Sequence, residues 1–231
     1  MVKVALITGA TGGIGSAIAR NLNGYKLSLL SRTLEPRESA NILYQRCDIT
    51  EEDSMWEAVV NTIGKFGRID VLINCVGISG YGKVEDLKFE EVEAIYKVNV
   101  TGTLNACKAV LPYMKVQGSG CIINIGSLRG IQCGIGKAAY SMSKAAVIAL
   151  SKTLKEEVAE YGIRVFVVNP GFVDSSSYSR SQRKRIIASP YKDIKINKDD
   201  MLQPEDIAET VAYLIESDLD ISEINMGRLW Q

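Results

Sequence analysis

The N-terminal stretch places a short apolar run directly before a glycine-rich turn and a helical pattern. Val2–Thr8 is aliphatic and rich in β-branched residues, which predicts a buried strand. The turn Gly9–Gly15 contains four glycines, and Ser16–Leu22 follows with its apolar residues at helical spacing. A strand, a glycine-rich turn and a helix start can hold the phosphates of a dinucleotide, because backbone N–H groups at the helix N-terminus can meet a pyrophosphate. A flexible glycine-rich connector is the alternative interpretation.

Apolar runs and helical patterns alternate along the rest of the chain. The predicted strands are Leu27–Leu30, Ile42–Arg46, Ile69–Ile73, Cys121–Ile125, Ile163–Val168 and Ile221–Met226, and the predicted helices are Glu51–Lys65, Phe89–Val116 (one helix or two abutting ones), Ala138–Tyr161 and Pro204–Glu216. This alternation predicts an α/β fold with a doubly wound, mostly parallel sheet of the Rossmann type. The 231 residues suffice for one such domain, spanning 1–231.

Three local features refine this outline. Thr50 is expected to cap the helix at Glu51–Lys65. Pro112 is expected to bend or stop the helical stretch in which it lies. Leu34–Asn41 contains a proline and is too short for a full crossover helix.

Composition excludes several kinds of site. The chain has no histidine, which removes Ser-His-Asp hydrolysis, Cys-His proteolysis and His-ligated metals. Its five cysteines lack CxxC spacing, which argues against zinc or disulfides and fits a reducing cytoplasm. Acidic and basic residues number 27 each, and no apolar run is long enough to span a bilayer, so neither nucleic acid nor a membrane is indicated as a partner. The short stretch before the glycine-rich turn also leaves no room for a signal sequence.

Polar residues follow the predicted strands, where open parallel sheets bind ligands. They are Thr8, Arg32, Asp48, Asn74, Ser127 and Asn169. Arg32, with the hydroxyls of Ser31 and Thr33, suits the 2′-phosphate of NADP(H), whereas an acid at this position would suit NAD(H). A solvated surface arginine is the alternative.

Tyr140 and Lys144 are four residues apart in a helical pattern, so both side chains can point into one site. A phenol beside an ammonium can exchange a proton, and the positive charge is expected to lower the tyrosine pKa. Ser127 lies thirteen residues before Tyr140 and could hold a carbonyl oxygen while the phenol donates to it. The pair alone is also compatible with coincidence.

Taken together, these motifs resemble the short-chain dehydrogenase/reductase family over residues 2–217. The family pattern TGxxxGxG matches Thr8, Gly9, Gly13 and Gly15, and YxxxK matches Tyr140 and Lys144. Further matches are Asn74–Gly77 for NNAG, Asn99 for the active-site asparagine, Ser127 for the catalytic serine, and Pro170–Gly171 followed by Val173.

The resemblance implies a hydride transfer between a nicotinamide and a carbonyl carbon. Tyr140 would exchange the proton, Ser127 would orient the oxygen, Lys144 would hold the nicotinamide ribose, and Asn99 would anchor a relay water. It implies NADP(H) rather than NAD(H), a small carbonyl or alcohol substrate, no metal, and a homodimer or homotetramer. The expected cofactor-binding residues are Gly9, Thr11, Gly13, Ile14, Gly15, Ser31, Arg32, Asp48, Asn74, Gly77, Tyr140, Lys144, Pro170, Gly171, Val173 and Ser175.

Several positions depart from the family pattern. Cys75 and Val76 replace the usual Asn and Ala, Gly126 stands where a first serine is common, and Ser175 replaces a threonine. The segment between Arg32 and Asp48 is abbreviated, and the C-terminus lacks the frequent glycine-rich ending.

Asp174–Asp200 is expected to form a lid over the substrate. It carries seven basic residues against four aspartates. This charge either attracts an acidic substrate or belongs to a solvated loop. The leading hypothesis is a carbonyl reductase, and the alternatives are a 3-oxoacyl-thioester (acyl-carrier-protein) reductase and a non-catalytic dinucleotide-sensing module.

Overall fold

The computed structural model describes residues 1–175 and 201–227. In chain order the elements are β1 (Val4–Thr8), α1 (Gly13–Asn21), β2 (Lys26–Ser31), β3 (Arg37–Glu38), β4 (Ile42–Arg46), α2 (Glu52–Phe66), β5 (Val71–Asn74), α3 (Phe89–Tyr96), α4 (Gly102–Gln117), β6 (Gly120–Ile125), α5 (Ala138–Val158), β7 (Ile163–Pro170), α6 (Pro204–Glu216) and β8 (Glu223–Met226). A π-helical turn, Lys97–Thr101, joins α3 to α4.

The strands form one eight-stranded sheet in the order β3-β4-β2-β1-β5-β6-β7-β8, parallel except for β3. In register, Thr8 of β1 pairs with Leu30 of β2 and with Asn74 of β5. Asn74 in turn pairs with Asn124 of β6. The carboxyl ends of these strands therefore meet along one edge of the sheet, which confirms the predicted doubly wound α/β fold.

Two apolar layers cover the sheet because successive side chains of a strand point to opposite faces. Ala5 and Ile7 of β1 pack into one layer, with α1 and α6, whereas Leu6 packs into the other, with α2, α4 and α5. Leu6 and Ile7 are fully buried. The central strands are covered on both faces, which explains why their sequences are apolar without alternation.

Four local expectations are settled by the structure. The short segment after β2 forms no helix and contains β3, which pairs antiparallel with β4. The long helical stretch is two helices abutting through the π-helical turn. The cap expected from Thr50 is wrong, because its hydroxyl donates to Asp48 and the helix begins at Glu52 without a side-chain cap. Of the two effects expected of Pro112, a stop is wrong, since α4 continues to Gln117.

Candidate active site

The glycine-rich turn is built for close approach of backbone to backbone. Gly9 has φ +68°, a left-handed conformation that favours glycine, and Gly12 N–H donates to its carbonyl at 2.9 Å. A Cβ on Gly15 would lie 2.4 Å from the Gly9 oxygen, and one on Gly13 would lie 2.8 Å from the Ser175 Cβ. Only glycine fits these two positions without displacing its neighbours.

The start of α1 can receive an anion. The first N–H groups of a helix lack intrahelical partners. Gly12 caps α1 without a side-chain hydrogen bond, and the first turn of α1 contains no acidic residue. Dinucleotide phosphates would therefore fit here, with the helix dipole adding to their stabilisation.

Beyond β2, three hydroxyls form a chain beside the turn. Thr11 Oγ1 and Ser31 Oγ are 2.9 Å apart, and Ser31 Oγ and Thr33 Oγ1 are 3.2 Å apart. Arg32 is exposed between them. These residues, predicted to meet the adenosine ribose, thus lie on one continuous polar surface.

Asp48 follows β4, and its carboxylate interacts electrostatically with the positive charge of Arg32. Its Oδ1 accepts from Thr50 N–H at 3.0 Å and from the Thr50 hydroxyl at 2.8 Å. Burial raises the pKa of this carboxyl, but the Thr50 hydrogen bonds and the positive charges of Arg32 and Lys97 outweigh that effect and lower it. Asp48 is thus a stable anion that interacts with the positive charge of Arg32.

Asn74 turns into the protein and joins a polar ladder beneath the strand ends. We use "polar ladder" for Thr8, Asn74, Asn124 and Ser151. Thr8 Oγ1 donates to Asn74 Oδ1 at 3.3 Å, Asn74 Nδ2 to Asn124 Oδ1 at 2.9 Å, and Asn124 Nδ2 to Ser151 Oγ at 2.9 Å. All four are buried, so the ladder ties β1, β5, β6 and α5 together under the cleft.

Ser127, at the end of β6, is fixed by Asn169 at the end of β7. Ser127 N–H donates to Asn169 Oδ1 at 3.2 Å. Asn169 Nδ2 donates to Glu223 Oε1 at 2.8 Å and to Asn225 Oδ1 at 2.9 Å, both on β8. Gly126 makes room for this amide, because a Cβ there would lie 2.0 Å from Asn169 Oδ1. The strand-end position of Asn169 was predicted from the sequence, but its role in anchoring Ser127 was not.

The Tyr140 phenol lies close enough to Ser127 for that hydroxyl to influence its pKa. Burial raises the pKa of the Tyr140 phenol more than a hydrogen bond to Ser127 lowers it, and the net shift is upward. The expectation that Lys144 sets this pKa below its usual value is therefore wrong for this structure. Ser127 Oγ also accepts from Arg129 N–H at 3.1 Å and lies 3.4 Å from the Pro170 carbonyl oxygen, which leaves it firmly positioned.

Lys144 lies one helical turn from Tyr140 and is buried. Its Nζ is 6.0 Å from the centroid of the Tyr140 ring and donates to the Ile125 carbonyl at 2.7 Å. Burial lowers the pKa of Lys144 to about 8. The ammonium thus keeps most of its charge at neutral pH yet can release a proton more readily than a solvated lysine.

Asn99 lies in the π-helical turn, behind Lys144. Its Oδ1 accepts from Ile78 N–H at 2.8 Å, and its Nδ2 donates to the Ile78 carbonyl at 2.9 Å and to Ser143 Oγ at 2.9 Å. Gly77 separates it from Lys144, since a Cβ there would lie 3.4 Å from Lys144 Nζ and 3.5 Å from Asn99 Oδ1. Single π-helical turns often occur at functional sites.

The last predicted cofactor residues follow β7. Gly171 N–H donates to the Met226 carbonyl at 2.7 Å, and Val173 bridges to Leu202. Ser175 approaches Gly13 of the glycine-rich turn. Of the expected lid Asp174–Asp200, the remainder after Ser175 lies outside the described residues.

The fold and the cleft define a class of protein. A doubly wound sheet carries a glycine-rich turn at its first strand end, and a Ser-Tyr-Lys set lies beside it, which is the arrangement of a dinucleotide-dependent oxidoreductase. A family model described as "short chain dehydrogenase" matches residues 3–186. The chain belongs to this family.

Individual relatives agree with that assignment. Carbonyl reductase family member 4 of Xenopus laevis is 34% identical over 228 residues, covering 94% of this chain and 92% of that protein. A solved structure of NAD+-bound xylitol dehydrogenase has a TM-score of 0.87 at 27% identity and covers 98% of each chain. A structure of ElxO with NADP bound has a TM-score of 0.84 at 28% identity, covering 97% of this chain and 98% of that one. The family thus uses NAD(P)(H), and these relatives include both cofactors.

Two further properties concern membranes and metals in residues 1–175 and 201–227. None of their helices is both long and apolar enough to cross a membrane. The same residues contain no cluster of three Cys, Asp or Glu side chains suited to a metal ion.

Proposed function

We propose that the protein is an NADP(H)-dependent carbonyl reductase acting on a small ketone or aldehyde. The observation that carries the proposal is that the Tyr140 phenol lies close enough to Ser127 for that hydroxyl to influence its pKa, with the buried Lys144 Nζ 6.0 Å from the centroid of the Tyr140 ring. The sequence similarity to carbonyl reductase family member 4 of Xenopus laevis supports reduction of a carbonyl as the direction of the reaction.

The bound nicotinamide would supply or accept a hydride. In carbonyl reduction, Ser127 Oγ orients the substrate oxygen, and the Tyr140 hydroxyl donates the proton that the new alkoxide takes up. A raised Tyr140 pKa keeps the phenol protonated at neutral pH, which suits a proton donor. Lys144, in our proposal, binds the nicotinamide ribose and returns a proton to the phenolate that remains.

The proton that Tyr140 gives up would be replaced from solvent by way of Lys144. Both N–H donors of the Asn99 side-chain amide and one lone pair of its Oδ1 are taken by Ile78 and Ser143, so the amide holds the loop after β5 close to Lys144. We propose that this arrangement positions a water between Lys144 and solvent. The lowered pKa of Lys144 makes it a suitable intermediate carrier of the proton.

The proposed preference for NADP(H) rests on Arg32. Its guanidinium is exposed beside Ser31 and Thr33, and its charge is partly balanced by Asp48. A 2′-phosphate could take bidentate hydrogen bonds from an arginine and further ones from the hydroxyls.

The reaction is tested by following NADPH and NADH absorbance with a panel of ketones, aldehydes and 3-oxoacyl thioesters. Tyr140→Phe removes one hydroxyl and should lower kcat by at least about 100-fold while cofactor binding, measured by fluorescence titration, is retained. Unchanged turnover in Tyr140→Phe would refute the mechanism. Activity restricted to the thioesters would favour the 3-oxoacyl-thioester reductase, and binding without turnover would favour a dinucleotide sensor.

We also propose that the protein is a homodimer or homotetramer in a reducing, cytoplasmic setting. Exposed apolar side chains occur on α3, α4 and α5, at Phe89 (82% exposed), Val116 (90%) and Met142 (46%). The five cysteines are free thiols. Light scattering coupled to size exclusion would contradict the oligomer if the mass were that of one chain.

A further inference from the structure

Two cations border the cleft without a role in the proposed reaction. Arg129 lies two residues after Ser127, and its own N–H donates to Ser127 Oγ at 3.1 Å. Lys137 lies three residues before Tyr140, and its Nζ is 5.9 Å from the centroid of the Tyr140 ring. Ser127 and Tyr140, which would hold the substrate oxygen, therefore each have a cationic residue within three positions in the chain.

The Arg129 guanidinium is held in place by the loop before α5. It lies over the Phe172 ring at 5.5 Å, and its Nη1 donates to the Cys133 carbonyl at 3.5 Å. Gly134 allows this position, since a Cβ there would lie 2.5 Å from Nη1. A guanidinium has five N–H donors. No carboxylate of residues 1–175 or 201–227 forms an ion pair with Arg129, which leaves it able to bind an anion.

Lys137 is held by the loop after β5. Its Nζ donates to Ser79 Oγ at 3.1 Å and to the Gly80 carbonyl at 3.2 Å, both in the loop after β5. The Tyr81 ring centroid is 5.6 Å away. These contacts fix the position of the ammonium at the border of the cleft.

We propose that the substrate is a carbonyl compound carrying an anionic oxygen group, bound by Arg129 with Lys137 adding to the positive potential. The inference rests on the proposed carbonyl reduction and names its substrate class. An arginine fork suits a carboxylate or a phosphate, because it can offer two parallel N–H donors to two oxygens. Phe172 stacks on the guanidinium and limits its motion, so little freedom is lost on binding.

The test compares acids with their own neutral esters. Each acid, benzoylformate or 3-benzoylpropionate, differs from its methyl ester in charge and by one methyl group, and the two acids differ in the spacing between carbonyl and anion; the effect of the ester on the ketone's own reactivity is the same for wild type and variant and cancels when their acid-to-ester ratios are compared. Wild-type protein should reduce at least one acid with a kcat/KM about tenfold or more above that of its ester. Arg129→Gln should lower this acid-to-ester ratio about 10- to 100-fold, mainly through KM. Arg129→Lys should restore part of it.

Arg20→Gln is the matched control, because it removes one arginine charge from the far end of α1, where Arg20 pairs with the exposed Glu205. It should leave the acid-to-ester ratio unchanged. Equal reduction of acids and esters by wild type, or an equal drop for both in Arg129→Gln, would overturn the inference while carbonyl reduction stands.

A binding measurement separates the two proposals. Calorimetric titration of the protein with 4-phenylbutyrate, in the presence of NADP+, should show binding that 4-phenylbutyramide lacks and that Arg129→Gln weakens about tenfold or more. Such binding without turnover of any carbonyl would sustain the anion site and refute the reductase. Equal binding of acid and amide would overturn the anion site itself.

Discussion

Gly126 and Asn169 occupy one shared volume beneath Ser127, which predicts that changes at the two positions compensate each other. A Cβ at Gly126 would lie 2.0 Å from Asn169 Oδ1 and 3.0 Å from Val167 Cγ2. The side chain introduced by Gly126→Ser must therefore push the amide away from Ser127 N–H. Overpacking and the lost hydrogen bond together should lower the free energy of unfolding by about 2–4 kcal/mol.

Asn169→Ala removes the same amide from the other side. It deletes the hydrogen bonds to Ser127 N–H, Glu223 and Asn225. At about 1 kcal/mol each, the loss is about 3 kcal/mol. If the two changes were independent, the double variant would lose about 5–7 kcal/mol. Because the introduced serine side chain would then occupy the space left by the amide, we expect a loss of only about 3–4 kcal/mol.

Urea unfolding followed by circular dichroism at 222 nm measures the free energy of unfolding of the four proteins in this double-mutant cycle: the wild type, the two single variants and the double variant. Gly64→Ser is the control, since nothing lies within 4 Å of a Cβ there and the residue is in α2. It should change stability by no more than about 0.5 kcal/mol. A double variant that is additive within about 0.5 kcal/mol would refute the shared-volume argument.

Three further predictions concern the cofactor and Lys144. Arg32→Gln should raise the Kd for NADPH about 10-fold or more and leave that for NADH within about twofold, as measured by fluorescence titration, and equal effects would mean that Arg32 only faces solvent. Gly15→Ala should weaken both cofactors, because its Cβ would lie 2.4 Å from the Gly9 oxygen; unaltered Kd values would contradict the close approach. The pKa of Lys144 is lowered to about 8, whereas an unfolded lysine titrates near ~10.4, so between these values the unfolded chain binds more protons. The free energy of unfolding of the wild type should therefore rise with pH over that window relative to Lys144→Met, and parallel pH curves in urea titrations would count against it.

The sequence predicted the regular elements well because each one has its own local signal. β1, β2 and β4 are short apolar runs, and α6 begins at Pro204, where Gln203 and Asp206 form the capping box. β3 was missed because its two residues have no apolar pattern and owe their conformation to pairing with β4. Pro112 does not end α4, because the helix around it is packed against the sheet through Ala109, Val110 and Met114, and this tertiary packing outweighs the local preference to stop.

In the candidate site, too, some features could be predicted from local sequence signals and others could not. Ser127, Tyr140 and Lys144 could be chosen from spacing, since a strand end and one helical turn bring them together. The inward direction of Asn74 and Asn169 could not, because it depends on partners far away in the chain, such as Asn124, 50 residues from Asn74, and Glu223, 54 residues from Asn169. The upward shift of the Tyr140 pKa was missed for a related reason: burial is set by the whole cleft, not by the neighbouring lysine.

The polar ladder has a consequence for how the protein folds during its synthesis. Its hydrogen bonds join residues 66, 50 and 27 positions apart in the chain. Such contacts form slowly because long loops must close first. A nascent chain can build the glycine-rich turn early. The polar ladder cannot be completed until α5, which carries Ser151, has been synthesised. Asn169, which holds Ser127, lacks its partners Glu223 and Asn225 until β8 has been synthesised. We expect nascent chains that end before β8 to hold helix and strand without a working cleft.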